Sequence, residues 1–249
     1  MLAACMATPL AQQSDGPRFA VVSVKPYNSP ESGGRNALVP GAYEGIGVTI
    51  RRVIGLAYAP LPASLIDGGP GWLSADRFEI HAKFEGNPPR EQVQQMLRAL
   101  LADRFKLRTH IEMRPTRVFA LTVEKPGVLG PALRAAEVDC ANRPPNSGPG
   151  GPGCGGFQYT DGLLRGRDAT LDRIAGELPV ERIVVNRTGL AGRYDVELRW
   201  TPDPNAASTP DAPPGLVTAL REQLGLRLQT ETAEMEHLVI DSVERPQPD

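Results

Sequence analysis

The chain has few aromatic, histidine and cysteine residues. Aromatic side chains make up 5% of the 249 residues, and there are three histidines and three cysteines. So few rings leave little for stacking against sugars or bases. The balance of 27 basic and 29 acidic side chains gives a net charge of −2, which lacks the basic surface typical of nucleic-acid binding. We therefore expect no nucleic-acid partner.

The sequence also lacks an apolar run of the roughly 18 residues that a membrane-spanning helix needs. Residues 1–11 are small and apolar, and a polar stretch follows them. This pattern is typical of the end of a secretory signal cleaved near Ala11, although it has no basic start and its apolar part is short. Cys5 in Leu2-Ala3-Ala4-Cys5 also allows a lipid anchor, and a cytoplasmic start stays open. We expect a periplasmic or secreted protein.

No arrangement of residues indicates catalysis or a cofactor. His81, His110 and His237 fall in three different predicted strands, without the spacing of metal ligands. The serines lack the Gly-x-Ser-x-Gly pattern of a nucleophile elbow. The sequence therefore predicts no catalytic residue, no metal and no cofactor.

What the chain does contain is a repeat of itself. Residues 41–53 recur as residues 162–174, at a constant offset of 121 (162 − 41). Residues 77–80 return in similar form as 193–196. Self-similarity of this kind indicates that one structural unit occurs twice.

Hydrophobic periodicity gives each half the same order of elements, roughly β-α-β-α-β-β, which indicates an α+β fold with helices on one face of a mainly antiparallel sheet. Each half is expected to close with a hairpin: strands 107–113 and 118–124 in the first, strands 226–232 and 237–243 in the second. Residues 27–40 are predicted as a loop. The predicted domains are a leader at 1–18, a first module at 19–126, a linker at 127–156 and a second module at 157–246.

Three residues are candidates for binding. Trp72 lies in a Gly/Pro turn, where it is either an exposed anchor for a partner or a plug on the core. Arg77 and Arg193 are equivalent across the repeat, and each precedes an aromatic residue and an acid. They form either a clamp for a carboxylate or a repeated cross-strand salt bridge.

Cys140 and Cys154 flank a stretch rich in proline and glycine that suits neither a helix nor a strand. Two cysteines at the ends of such a loop indicate a disulfide, and the alternative is a pair of free thiols. Closing a loop of about 15 residues is worth roughly 3 kcal/mol. Because disulfides persist in oxidising compartments, this pair agrees with export.

Four segments together resemble one family, and they lie at residues 23–26, 68–73, 101–107 and 188–195. It is an uncharacterised, paralogue-rich family of exported proteins of soil bacteria, best known from acidobacteria. The resemblance implies an exported domain, in some relatives attached to membrane metallopeptidases of the antibiotic-sensor type. Residues 216–243 are more distantly similar to the small α+β modules of secretins and TonB-dependent receptors, which mediate protein contacts.

These observations lead to an expected function and two alternatives. We expect a non-enzymatic extracytoplasmic binding or sensor module that contacts a protein or cell-wall ligand. The alternatives are a hydrolase with an unrecognised active site and a structural envelope protein.

The disulfide can be tested directly. Peptide mapping of the native protein without reductant is expected to recover a peptide in which Cys140 is linked to Cys154. The same digest after reduction and alkylation is the control. Recovery of both residues as free thiols from unreduced material would contradict the disulfide and weaken the case for export.

Overall fold

The computed structural model describes residues 16–29, 34–136, 152–202 and 213–246. The chain forms two compact units: unit 1 contains Met1–Arg114 and Glu236–Asp249, and unit 2 contains Pro115–Met235. The fold is mixed α+β with mostly antiparallel sheets, as the sequence predicts. The module boundaries expected from the sequence stay predictions.

Unit 1 contains a sheet of the order β1-β5-β3-β2, all of whose strand pairs are antiparallel. Its strands are β1 (Val21–Pro26), β2 (Arg35–Val39), β3 (Ala42–Thr49) and β5 (Arg77–Lys83). The helices of this unit are α1 (Ile50–Ala57), the single turn α2 (Trp72–Ala75) and α3 (Arg90–Phe105). A 3-10 turn at Ala63–Leu65 leads into the short strand β4 (Ile66–Gly68).

Unit 2 contains a sheet of the order β7-β11-β9-β8, again antiparallel. Its strands are β7 (Leu133–Ala135), β8 (Phe157–Thr160), β9 (Leu163–Ala169) and β11 (Tyr194–Arg199). Helix α4 (Leu171–Gly176) follows β9. Helix α5 (Leu216–Ala219) continues as a π-helical segment, Leu220–Leu224, which ends at Gly225 with a left-handed φ of 68°.

A third sheet has the order β10-β6-β12-β4, with β6 at Arg108–Val123, β10 at Val184–Asn186 and β12 at Leu226–Ser242. Within unit 1, β4 pairs in parallel with residues 238–240 of β12. Within unit 2, β10 pairs in parallel with residues 119–121 of β6.

The closing hairpins expected from the sequence are wrong, because β6 and β12 are each one continuous strand. Pro115 suggested a turn, since proline cannot donate a hydrogen bond. Proline is nevertheless tolerated in a strand where its missing donor faces no partner, and Pro115 is exposed. Residues 233–236 of β12 contain neither glycine nor proline, so nothing there interrupts an extended backbone.

The loop predicted at residues 27–40 is also wrong in its second half, where β2 forms. Pro40 and Gly41 connect β2 to β3, and Gly41 has a φ of 75°. Proline followed by a glycine of positive φ is the sequence of a tight turn. The last residue of the predicted loop, Pro40, is therefore part of the turn of a hairpin together with Gly41.

Each unit has its own core beneath one face of its sheet. Periodicity predicts which apolar residues of the helices and strands point inward, and all of them but the half-buried Leu216 are buried. In unit 1 these are Ile50, Val53, Ile54, Ala57, Phe78, Ile80, Ala82, Val93, Met96, Leu97, Leu100 and Leu101. In unit 2 they are Leu171, Ile174, Ala175, Leu178, Tyr194, Val196, Leu198, Trp200, Leu220 and Leu224.

Two buried side-chain oxygens in the described part of unit 1, Tyr43 Oη and Asn36 Oδ1, lack a hydrogen-bond partner. Tyr43 is 0% exposed, and its hydroxyl forms no hydrogen bond with any residue of the described ranges. Burial raises the pKa of this phenol well above its ordinary value. A buried polar group without a hydrogen bond carries an uncompensated desolvation cost.

We expect Tyr43→Phe to leave the free energy of unfolding unchanged or to raise it by about 1 kcal/mol, because the substitution removes only the unpaired hydroxyl. Tyr43→Ala is the control and is expected to cost about 3–5 kcal/mol through the cavity it leaves. Urea denaturation of the full chain measures both. A loss of more than about 1 kcal/mol in Tyr43→Phe would show that the hydroxyl has a partner.

Candidate functional site

The outer face of the unit 2 sheet carries a groove of about 670 Å³. Strands β7, β9 and β11 form its floor, and residues 131–132 and Gln223 contribute to its rim. Its polar lining consists largely of four arginines and two acids, which are Arg134, Arg165, Arg167, Arg199, Asp195 and Glu197. We take this arginine groove as the candidate functional site.

Strand alternation places these charges on one face. Arg134 of β7 lies opposite Asp195 of β11, and Arg165 of β9 lies opposite Glu197. The residues between them point to the opposite face, where Leu133, Leu164, Val196 and Leu198 are buried. Because these apolar residues are buried in the core of unit 2, the polar residues that alternate with them lie together on the outer face of the sheet.

Two of the arginines are held by a shared carboxylate. Arg165 Nε donates to Glu197 Oε2 at 3.0 Å, and Arg199 Nε donates to Glu197 Oε1 at 2.9 Å. The hydrogen bond from Arg165 lowers the pKa of the Glu197 carboxyl, and Arg199 acts in the same direction. Gln223 fixes the backbone of Arg199 with two hydrogen bonds, of 2.9 and 2.7 Å. These contacts pre-organise one end of the groove.

The other two arginines are not neutralised within the described part of the chain. Arg167 is half-buried, and its guanidinium forms no hydrogen bond or ion pair with any residue of the described ranges. Arg134 uses only Nε, which donates to the carbonyl of Pro131 at 2.8 Å. Asp195 accepts the backbone N–H of Asp168 at 2.8 Å. The groove therefore presents two guanidinium groups whose terminal nitrogens are available to an anion.

Trp72 is half-buried in α2 and packs against the core of unit 1. Its ring meets Phe78 edge-on at 6.3 Å between centroids, and the guanidinium of Arg245 lies 5.3 Å from its centre. A role of Trp72 in binding stays a prediction.

Arg77 and Arg193 make related contacts in their own units. Arg77 Nη1 donates to the carbonyl of Gly47 at 3.1 Å, and Arg193 Nε lies 2.8 Å from Asp168 Oδ1. Gly47 and Asp168 both have a positive φ, of 62° and 50°. Each arginine thus contacts the residue of positive φ in the neighbouring strand. Binding of an external carboxylate by either arginine stays a prediction.

Cys140 and Cys5 lie outside the described residues, whereas Cys154 lies at the start of the described part that leads into β8. The disulfide and the lipid anchor therefore stay predictions.

The three histidines each lie against an acid. His81 Nε2 is 2.8 Å from Glu79, and His110 Nδ1 is 2.8 Å from Asp241. His237, which is 9% exposed, has Nδ1 at 2.7 Å from Asp67. Across the described ranges no three histidines, cysteines or acids converge as metal ligands.

The sequence analysis predicts no binding residue in the arginine groove. The local signal for it is the alternation of Arg165, Gly166 and Arg167, which places both arginines on one face of a strand. Arg134 and Gln223 come from distant parts of the chain, so their convergence depends on the order of the strands.

Two antiparallel sheets, a third sheet with parallel pairs, helices that pack on the cores and a charged groove define the class, an α+β protein with an open polar site. Residues 51–243 match the family model described as "Protein of unknown function (DUF3738)", and the chain belongs to that family. No curated protein and no solved structure matches the chain. None of the described helices is both long and apolar enough to cross a bilayer.

The Arg193–Asp168 pair yields a stability prediction. The Asp168 side chain is 4% exposed, so Arg193→Ala leaves a buried carboxylate without its cation and is expected to cost about 1–3 kcal/mol. Arg77→Ala removes a bond to a neutral carbonyl and is expected to cost about 0.5–1.5 kcal/mol.

Adding Asp168→Gly to Arg193→Ala is expected to restore most of the loss, because it removes the unpaired carboxylate and places glycine at a positive φ, as Gly47 does in unit 1. Thermal and urea unfolding of the three variants measure the differences. Equal losses in Arg77→Ala and Arg193→Ala, with no recovery in the double variant, would contradict a structural ion pair at Asp168.

Proposed function

We propose that the protein is a non-enzymatic, extracytoplasmic binding or sensor module that contacts a protein or cell-wall ligand of the envelope through the arginine groove. The observation that carries this proposal is the pair Arg134 and Arg167, whose terminal guanidinium nitrogens are available in an open groove of about 670 Å³. Their planar forks suit carboxylate and phosphate oxygens, which they can bind in a bidentate manner.

The charges in the groove favour an anionic ligand. Four arginines against Asp195 and Glu197 leave an excess of two positive charges (4 − 2) among the lining residues. Glu197 is already shared by Arg165 and Arg199. An anion that enters the groove therefore meets the two remaining arginines first.

We also propose that the two units descend from one duplicated module. Support comes from the offset of 121 in the sequence, which relates Asn36 and Gly45 to Phe157 and Gly166. Asn36 lies opposite Gly45 in the first hairpin, and Phe157 lies opposite Gly166 in the second. Residues 47 and 168, which Arg77 and Arg193 contact, are also related by the offset of 121 (168 − 47), whereas the two arginines are 116 residues apart (193 − 77).

Export belongs to the same proposal. Its support is the apolar stretch at residues 1–11 and the spacing of Cys140 and Cys154. A soil-bacterial source, and a lipid anchor at Cys5, are finer parts of that proposal. They rest on the sequence and on the resemblance alone.

One observation favours the hydrolase alternative. The contact of 2.7 Å between His237 Nδ1 and Asp67 resembles the arrangement of a catalytic base and the acid that orients it. His237 is buried, however, and it lines neither the arginine groove nor a second groove of about 510 Å³ beside Glu124 and Arg221. The binding module therefore remains the better supported function.

The proposal is tested by photo-crosslinking in cells. The full-length protein, with a photoreactive residue in place of Ala135 at the groove, is expected to give one reproducible adduct with an envelope component. Arg167→Glu is expected to abolish that adduct, because it places a negative charge beside the bound anion. Arg90→Glu, the same change on the exposed first residue of α3, is the matched control and is expected to leave the adduct unchanged.

An adduct that survives Arg167→Glu, or that appears equally from a photoreactive residue at the exposed Ala102 of α3, would argue against the groove. The absence of any adduct at position 135 would instead favour the two alternatives, a hydrolase and a structural envelope protein.

A further inference from the structure

Strand β6 has an uncovered edge in unit 1. In the third sheet β12 lies on one side of β6, and β10 lies on the other. The register of β10 covers only residues 119–121 of β6. Residues 108–113 therefore have no strand on their outer side in the described part of the chain. An edge of six residues with free backbone donors and acceptors is a template for another strand.

This edge carries apolar side chains where a solvent-facing edge is normally polar. Ile111 is 50% exposed and Met113 is 54% exposed, and they are two residues apart on one face of the strand. The comparable stretch of β12 carries threonine at both places. Thr230 follows the left-handed Gly225 by five residues (230 − 225), as Ile111 follows the left-handed Lys106 (111 − 106). A strand that follows a left-handed residue therefore does not require apolar side chains at these two positions. The apolar pair is specific to the β6 edge.

The charges along the edge are complementary to themselves. In an antiparallel pair of two copies centred on His110, residue 108 of one copy lies opposite residue 112 of the other (108 + 112 = 2 × 110). Arg108 then meets Glu112 twice, once on each side of the axis. The guanidinium of Arg108 has no partner in the described ranges, and the hydrogen bond from Arg114 lowers the pKa of the Glu112 carboxyl.

The same register covers Ile111, which lies opposite Thr109 of the second copy (111 + 109 = 220). Met113 lies at the end of the paired stretch, one residue after Glu112. His110 faces its own copy on the axis, with each ring bonded through Nδ1 to Asp241 of its own chain at 2.8 Å. A register centred on Ile111 would instead place Arg108 opposite Arg114, which like-charge repulsion disfavours.

We propose that two copies of the chain associate through the Arg108–Met113 edge of β6, paired antiparallel about His110, so that Arg108 of each copy meets Glu112 of the other. The occupant of the edge is a second copy, because the charge pattern is complementary to itself and the exposed Ile111 becomes covered. This interface lies in unit 1 and is independent of the arginine groove in unit 2.

Sedimentation velocity of the full-length protein over a range of concentrations tests this. The wild type is expected to show a reversible monomer–dimer equilibrium. Arg108→Glu places like charges opposite each other twice and is expected to weaken the dimer by about tenfold or more. Arg108→Glu combined with Glu112→Arg restores opposite charges and is expected to recover most of the affinity.

Ile111→Lys is expected to weaken the dimer as well, because it places a charge in the covered apolar row. Thr230→Lys, at the comparable position of β12, is the matched control and is expected to leave the dimer unchanged. Circular dichroism and thermal unfolding of each variant confirm that it is folded.

Three results would overturn the proposal. They are a wild type that stays monomeric at all concentrations, a dimer that resists both Arg108→Glu and Ile111→Lys, and a folded double variant that does not recover the affinity lost in Arg108→Glu. The Arg167→Glu variant is expected to dimerise normally, so that failure of the dimer and failure of the groove are distinguishable.

Discussion

The burial of one face of the β1-β5-β3-β2 sheet and of the β7-β11-β9-β8 sheet is the constraint on which the rest of the structure depends. In unit 1, Phe78, Ile80 and Ala82 of β5 point into the core with helices α1 and α3. In unit 2, Val196 and Leu198 of β11 do the same with α4 and the segment after α5. Because side chains alternate along a strand, every residue buried on the inner face places its neighbours on the outer face. The outer face is therefore free to carry charge.

The arginine groove follows from this constraint. Arg165 and Arg167 are the neighbours of buried Leu164 and Gly166, and Glu197 lies between buried Val196 and Leu198. Cross-strand pairing then brings opposite charges together, as in Arg165 and Glu197. The groove carries more arginine than acid. The guanidinium groups in excess are the reason why we propose an anion site there.

The inner face and the helices were predictable because their signals are local. The 3.6-residue period of α1 and α3 and the alternation in β5 and β11 depend only on neighbouring residues, and the structure buries the residues concerned. The wrong predictions, the closing hairpins and the loop at residues 27–40, depend on the assumption that proline and glycine end a strand. Pro115 lies within a strand, and Pro40 and Gly41 form the tight turn of a hairpin. A local sequence pattern does not show whether a segment that contains a tight turn, or a proline without a backbone N–H donor, remains part of a sheet.

The sequence by itself determined the mixed α+β class, the apolar faces and the similarity of the two halves, since each of these is written in residues close together along the chain. Tertiary structure alone decided which outer faces meet. Arg134, Arg167 and Gln223 are far apart in sequence, and the strand order β7-β11-β9-β8 and the end of the π-helical segment bring them to one groove. It also decided that no strand of the described ranges pairs with the outer edge of residues 108–113 of β6, because a strand edge is defined by which neighbours pair with it rather than by its own residues.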